Sequence, residues 1–250
     1  MARTRRSLAT SGATLGSLLD MEPMEVDGLR LPVIPIRDNV YLPNMNFTLL
    51  LGRDRSIRAL EHALADGDRH VVLATQRDLE QEDPTFADIH GVGVMAEVIS
   101  SGRLPDGTMR VALESLHRAR ILDWSRRDPY LEARVVRFDE LDADRSDLEV
   151  DALCRTVATE FENLVGEGRS IPPEALVSVV GCREPGLLAD TVVSYLSVAI
   201  ERKQRMLEEV DVRRRLHLLV GALGDELRVL EIQREIRSRV EKEVGDNQRE

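Results

Sequence analysis

Residues 91–121 read GVGVMAEVISSGRLPDGTMRVALESLHRARI and carry the clearest structural pattern in the chain. Apolar residues occupy every second position from 92 to 98 and again from 109 to 113. The intervening Leu104-Pro105-Asp106-Gly107 is a strong turn signal, because proline sets φ and glycine tolerates a positive φ. The stretch therefore predicts a β-hairpin whose turn lies at 104–107.

The segments around this hairpin predict further short strands and one helix. Strands are expected at 31–36, 47–51, 71–74, 119–122 and 131–136, and a helix at 56–64. The acidic segment 77–90 predicts a solvated loop. Pro32 and Pro35 suit an edge position or the start of a strand, where no backbone donor is missed. Together these elements predict a small β-barrel or curved sheet, since closure would protect hydrophobic strand edges.

After an acidic stretch the apolar spacing changes to that of helices. One helix is predicted from a stripe that comprises Leu148, Leu153, Val157, Phe161 and Leu164. Shorter helices are expected after Pro172-Pro173 and after Pro185-Gly186, with a further short turn or helix at 201–210, and a long helix is expected from 211 to 244. Gly221 and Gly224 within it indicate either a bend or close packing.

These patterns predict an α+β chain with a β-rich domain followed by a helical bundle and a long C-terminal helix. The predicted β-rich domain covers 29–137, an acidic linker 138–150 and the helical bundle 151–250. Residues 1–28 are predicted to be a disordered tail, because they contain few large apolar residues. A transit peptide has a similar Arg-rich, acid-poor composition and is the alternative for this tail.

The bulk composition excludes several classes of protein. The 250 residues carry a net charge of −11 and contain only 3% aromatic residues, which disfavours nucleic-acid binding. No apolar run is long enough for a membrane helix, so no membrane partner is expected. Cys154 and Cys182 lie in apolar surroundings and are expected to be reduced thiols of a cytosolic protein.

No motif for catalysis or for cofactor or metal binding is present in the sequence. Neither Lys203 nor Lys242 follows a glycine-rich phosphate-binding loop, which excludes a P-loop. The five histidines lack metal-ligand spacing, and no nucleophile elbow occurs. We therefore expect a binding module rather than an enzyme, with no catalytic, cofactor-binding or metal-binding residues.

Five motifs in order resemble the N-terminal substrate-recognition domain of the ATP-dependent Lon protease (endopeptidase La). They are LPVIPIRDNVYLPNM at 31–45, LLLGRDRSIRALEHAL at 49–64, VVLATQRD at 71–78, the hairpin at 91–121, and DVRRRLHLLVGALGDELRVLEIQREIRSRVEKEV at 211–244. The resemblance covers about residues 29–250. Asn44 and Asn46 depart from the more basic or apolar pattern of the family, and Gly221 and Gly224 depart from its Leu- and Glu-rich helix.

The resemblance implies a PUA-like β-barrel followed by a helical bundle. It also implies work in a cytoplasmic homohexamer that unfolds and degrades damaged or regulatory proteins. The ATP and Mg²⁺ sites and the Ser–Lys dyad of the family lie in other domains, so no catalytic residue is transferred to this chain.

The function expected from the resemblance is capture of unfolded or degron-bearing proteins for degradation. Met45, Phe47 and Leu104 are the expected contact residues, because they occupy Pro-flanked or turn positions; Met45 and Phe47 are equally compatible with the core. The alternative is a stand-alone adaptor or small-ligand sensor without protease activity. RNA binding by the barrel would need a basic stripe, which the acidic loops disfavour.

Overall fold

The computed structural model describes residues 28–141, 143–167 and 171–247. Except for Gly28, the tail predicted at 1–28 lies outside the described residues, and so does any targeting role for it.

Six strands form one sheet: β1 (Leu29–Ile36), β2 (Asn46–Leu51), β3 (His70–Thr75), β4 (Val92–Arg103), β5 (Met109–Arg126) and β6 (Leu131–Arg137). Their order is β2-β5-β4-β3-β1-β6, and β6 pairs with β5 as well. The pairing of β5, β4, β3, β1 and β6 therefore returns to β5 and closes a ring of five strands. β2 is attached outside the ring along the first part of β5, from Met109 to Glu114. The curved sheet predicted from the strand pattern is thus confirmed.

The predicted hairpin is formed by β4 and β5. Its turn is closed by the Leu104 amide, which donates to the Thr108 carbonyl at 2.8 Å, and Gly107 has a φ of 89°. The prediction of two separate strands at 109–113 and 119–122 was wrong, because β5 is continuous. The register shifts between β5 and its neighbours interrupt the alternation of apolar residues and hide this continuity in the sequence.

The two prolines occupy neither an edge strand nor the first residue of a strand, since β1 begins at Leu29 and pairs in parallel with β3 and antiparallel with β6. Pro32 lies in the part of β1 that is in register with β6 alone, opposite Glu132. Pro35 lies in the part that is in register with β3 alone, opposite Ala74. Each proline therefore occupies a position where the strand has one neighbour, so its missing donor is tolerated.

Helix α1 (Asp54–Ala65) packs against β1 through a buried face that includes Ile57 and Leu60. The segment predicted to be a solvated loop at 77–90 is partly ordered: Phe86 lies in a short 3₁₀ turn and stacks on Trp124 with ring centroids 4.7 Å apart. Ile89 in the same segment is buried and pairs with Gln76.

The helical half contains α2 (Leu148–Gly166), α3 (Pro173–Gly181), α4 (Pro185–Tyr195), α5 (Ile200–Glu208) and α6 (Val212–Asn247). The buried face of α2 is the predicted one except at Leu148, which is 87% exposed in the first turn. Val150 and Cys154 complete that face instead. Both cysteines are free thiols, and Cys154 is buried as expected, whereas Cys182, also expected in the core, is only partly buried.

Helix α6 is continuous through Gly221 and Gly224. A Cβ added at Gly224 would meet nothing within 4 Å, and one at Gly221 would only contact Arg202 at 3.8 Å, so close packing does not explain these glycines. The first part of α6 packs along α2, whereas all residues from 231 to 240 are exposed.

The two halves of the molecule share one hydrophobic core. Its buried members come from the sheet, from α1 and from the helical half, and they include Ile34, Leu60, Val94, Val111, Val157, Phe161, Leu188 and Leu223. A second, smaller cluster contains residues from all five strands of the ring, such as Leu31, Val72, Met95, Ala119 and Ala133. The helical half is therefore packed onto the outside of the ring.

Candidate functional site

A groove runs beside the outer edge of β2, the only strand among those described that pairs along one side alone. The groove has a volume of about 890 Å³. Its lining comes from the end of β1 and the loop after it, from β2 itself and from the start of α1; these residues are Pro35, Ile36, Arg37, Asp38, Tyr41, Thr48, Leu49, Leu50, Leu51, Gly52, Arg53 and Ser56. We call this surface the edge groove.

The backbone of β2 presents unpaired hydrogen-bonding groups to the edge groove. The Met45 carbonyl accepts from the Ser115 amide of β5 at 2.8 Å. Residues of an antiparallel strand alternate between bonding to the neighbour and facing away from it. Phe47, Leu49 and Leu51 therefore bond to β5, and the amides and carbonyls of Thr48 and Leu50 face the open edge.

The wall of the edge groove is held in place by contacts of the loop between β1 and β2. The Tyr41 ring stacks on Phe47 with centroids 3.9 Å apart. The buried Ser115 hydroxyl donates to the Leu42 carbonyl at 2.6 Å and accepts from the Met45 amide at 2.9 Å. Asn44 lies between them with a φ of 60°, a conformation that asparagine adopts more readily than most residues. This conformation accounts for one of the departures from the family pattern.

Two arginines, Arg37 and Arg53, line one end of the edge groove, and the carboxylates of Glu82 and Asp83 act on Arg53 from outside the lining. Arg53 donates to the Gln76 side chain at 2.5 Å and to the Gln81 carbonyl at 3.1 Å. Burial, and secondly the neighbouring Arg37 charge, lower the pKa of Arg53. Asp38, the one acid in the lining, acts on Tyr41 instead, where burial is the main cause of a raised phenol pKa.

The three contact residues predicted from the sequence do not meet at one place. Met45 and Phe47 lie at the start of β2, partly buried against the core. Leu104 lies in the β4–β5 turn, beyond the other end of β2, where Leu51 pairs with Met109. A strand of this length separates the two positions by roughly 20 Å. Leu50, which is 65% exposed, was not among the predicted contact residues, because a run of three leucines is typical of a buried strand.

Four charged side chains form a second polar feature where the two halves meet. They are Arg118 of β5, Glu140 of the segment before α2, Asp190 of α4 and Arg215 in the first turn of α6, and we call them the junction cluster. Arg118 donates to both oxygens of Asp190, at 2.7 and 2.8 Å, and Arg215 donates to Asp190 at 2.7 Å. Glu140 accepts from both arginines.

The junction cluster is balanced in charge, and all of its members except the partly exposed Glu140 are buried. Arg118 and Arg215 are 1% and 0% exposed, so their charges need close partners. Burial alone would lower the pKa of Arg215, but Asp190 and Glu140 together outweigh burial and raise that pKa. Backbone carbonyls of the α5–α6 region add further bonds, since Leu207 accepts from Arg118 at 2.8 Å and Glu209 accepts from Arg215 at 3.1 Å, whereas Arg215 Nη2 is buried without a hydrogen-bond partner.

A cleft of about 740 Å³ opens onto the junction cluster. Its lining mixes charges of both signs, among them Arg137, Asp139 and Glu184, and also includes His117. Within residues 28–141, 143–167 and 171–247, no three His, Cys, Asp or Glu side chains are arranged to hold a metal ion. None of the described helices combines the length and the apolar composition that crossing a bilayer requires.

A family model described as the substrate-binding domain of the ATP-dependent protease La (LON) matches residues 30–225. The chain belongs to this family. Curated relatives of the Lon substrate-binding domain include the Lon protease of Xanthomonas oryzae pv. oryzae, 39% identical over 230 residues, which are 92% of this chain. The Lon protease of Desulforamulus reducens is 40% identical over 220 residues, or 88% of this chain. The chain spans 27% of the length of each.

Solved Lon N-terminal domains share the fold. The N-terminal domain of the Mycobacterium avium complex Lon protease aligns with a TM-score of 0.63 at 24% identity, over 79% of this chain and 99% of that one. The Lon N-terminal domain protein of Xanthomonas campestris aligns with a TM-score of 0.53 at 16% identity, over 77% of this chain and 98% of that one. The substrate-binding domain assigned from the sequence motifs is confirmed.

Proposed function

We propose that this chain captures exposed apolar segments of unfolded or degron-bearing proteins for an ATP-dependent Lon-type serine protease. The observation that carries the proposal is the family match over residues 30–225, which assigns a substrate-binding role. The edge groove supports it, because it combines exposed leucine and unpaired backbone groups, which complement an unfolded chain. In this proposal ATP, Mg²⁺ and the Ser–Lys dyad act in domains beyond these 250 residues.

The setting that the family suggests belongs to the same proposal. In a cytoplasmic homohexamer, six copies would face one entrance and raise the local concentration of capture sites, so that weak single contacts give tight overall binding. The proposed division of labour places capture in the β half at 29–137 and connection to the ATPase ring in the helices at 151–250, joined by the acidic segment 138–150.

Titration of a fluorescently labelled, permanently unfolded protein into the chain tests the proposal. Binding to the unfolded protein and none to its folded form is the expected result. The triple variant Met45→Ser, Phe47→Ser, Leu104→Ser tests the contact residues, with circular dichroism as a check of folding, since two of the three touch the core.

The matched control replaces three exposed apolar residues elsewhere, Leu122, Val177 and Val180, by serine. The control is expected to bind as the wild type does. Equal affinity of all three proteins would contradict the contact assignment, and failure of the wild-type chain to bind would contradict the proposed function.

A small-ligand sensor is the second candidate function. The cleft at the junction cluster favours it, since a concave site with buried polar groups is what small ligands require. A rise in the unfolding temperature with a metabolite mixture, lost in Glu184→Lys, would support this candidate. Unchanged temperatures would exclude it for the compounds used.

A further inference from the structure

We infer that the polypeptide captured at the edge groove binds as an additional β-strand along β2, with an acidic residue at the end near Arg37. The inference rests on the proposed function and specifies its binding mode. It starts from the hydrogen-bonding groups of Thr48 and Leu50, which face the groove and have no strand beside them.

The edge of β2 lacks the features that protect exposed strand edges in other proteins. Such edges are protected by charged residues, prolines, bulges or a covering segment. The β2 sequence, NFTLLL, contains no charge and no proline, and no bulge separates it from β5. Every other described strand is paired on both sides. An unprotected edge next to a groove is suited to strand addition.

The dimensions and chemistry of the edge groove favour an extended segment of an unfolded protein as its occupant. Six residues of β2 span about 20 Å, enough for five or six residues of an added strand. Main-chain hydrogen bonds to the edge require free amides and carbonyls, which unfolded chains have and folded domains do not. Leu50 and the Tyr41–Phe47 stack offer apolar contact to alternate side chains of the added strand.

The charge of the groove sets the preference at one end. Arg37 is exposed and makes no ion pair within the described part of the chain. After burial itself, its charge lowers the pKa of the half-buried Arg53, although Glu82 and Asp83 act in the opposite direction. A carboxylate placed between these guanidinium groups would relieve their repulsion. The net charge of −11 would instead attract basic peptides in general, so a preference for acid here would be a local property of the groove.

A labelled aliphatic peptide with a terminal glutamate, titrated against the wild-type chain, tests strand addition. Two N-methylated forms carry methyl groups on opposite alternating sets of amides. Only one set of amides faces an edge, so one form is expected to bind about tenfold or more weakly, and the other like the parent peptide. Equal affinity of both methylated forms, whether weak or strong, would overturn the inference.

Protein variants test the same edge from the other side. Leu50→Pro removes a donor that faces the groove and leaves the hydrogen bonds between β2 and β5 intact. It is expected to weaken binding of the parent peptide as much as N-methylation does. Arg37→Glu should weaken the glutamate peptide about two- to fivefold and strengthen its lysine counterpart. Arg228→Glu, an exposed charge on α6, is the matched control. Identical affinities for Arg37→Glu and Arg228→Glu would refute the charge preference.

These outcomes separate the inference from the proposed function. A wild-type chain that binds unfolded protein but does not distinguish the two methylated peptides retains the function and loses the strand-addition mode. A chain that binds neither unfolded protein nor peptide loses both.

Discussion

The junction cluster and the edge groove treat polar groups in opposite ways. At the junction, two arginines are withdrawn from water and their carboxylate partners lie within hydrogen-bonding distance. At the groove, backbone donors and acceptors of β2 stay unpaired beside an exposed leucine. Removing a carboxylate at the junction would leave a buried charge without its partner. Adding a strand at the groove would instead provide partners for backbone groups of β2. Whether a polar group is buried and already hydrogen-bonded therefore indicates its role better than its residue type does.

The largest expected effect comes from removing one partner at the junction. Asp190→Ala leaves Arg118 and Arg215 buried with half of their negative partners, and we expect it to lower the free energy of unfolding by about 3–5 kcal/mol. Urea unfolding measures this. Asp225→Ala, which breaks the exposed pair with Arg202, is the control and should cost less than about 1 kcal/mol. Similar costs for both would show that the junction charges are not strongly coupled.

A smaller loss is expected from neutralising the partly exposed acid of the junction. Glu140→Gln keeps the shape but weakens the hydrogen bonds from Arg118 and Arg215, at an expected cost of about 1–3 kcal/mol. Glu184 lines the same cleft without an ion pair among the described residues, so Glu184→Gln serves as the control. It is expected to change the free energy of unfolding by less than about 0.5 kcal/mol. An unchanged free energy of unfolding in Glu140→Gln would contradict the role of Glu140 in the junction cluster.

The pH dependence of stability distinguishes the two regions further. The lining of the edge groove contains no histidine, whereas His117 lines the cleft at the junction and His90 contacts Glu208 of α5. Burial, followed by Arg77, lowers the pKa of His90 despite the nearby Glu208. Burial, followed by Arg137, lowers that of His117. The unfolded chain therefore binds protons first as the pH falls.

The contribution of these histidines to stability is accordingly complete above their ordinary pKa of 6.5 and is lost as the pH falls from there toward the lowered values. The double variant His90→Gln, His117→Gln is expected to lose less stability than the wild type between about pH 7.5 and about pH 5.5 in urea unfolding. Parallel curves for the two proteins would refute this.

The smallest effect on stability is expected at the edge groove. Leu50→Ser alters an exposed side chain and should change the free energy of unfolding by less than about 0.5 kcal/mol. It should nevertheless weaken unfolded-protein binding about fivefold. Val180→Ser, equally exposed on α3, should alter neither quantity. If Leu50→Ser binds unfolded protein with the affinity of the wild type, Leu50 takes no part in capture.

Sequence reasoning identified what is local and missed what is assembled over distance. The hairpin was predictable because its turn and alternation lie within adjacent residues. The junction cluster was not, since Arg118 and Asp190 are 72 positions apart and each resembles an ordinary surface charge. The prolines of β1 suited an edge or a strand start, but β1 accommodates them between two partial neighbours, an arrangement that the sequence pattern does not reveal.

Helix α6 extends well beyond the junction cluster. Arg215 anchors the base of this helix, and the residues from 231 to 240 extend without burial. The arm from residue 231 to residue 247 measures about 24 Å, so that tilting the packed part of the helix by about 10° would carry the far end of this arm roughly 4 Å further. The direction of this arm is therefore set by the charge pairs of Arg215 together with the packing of α6 along α2.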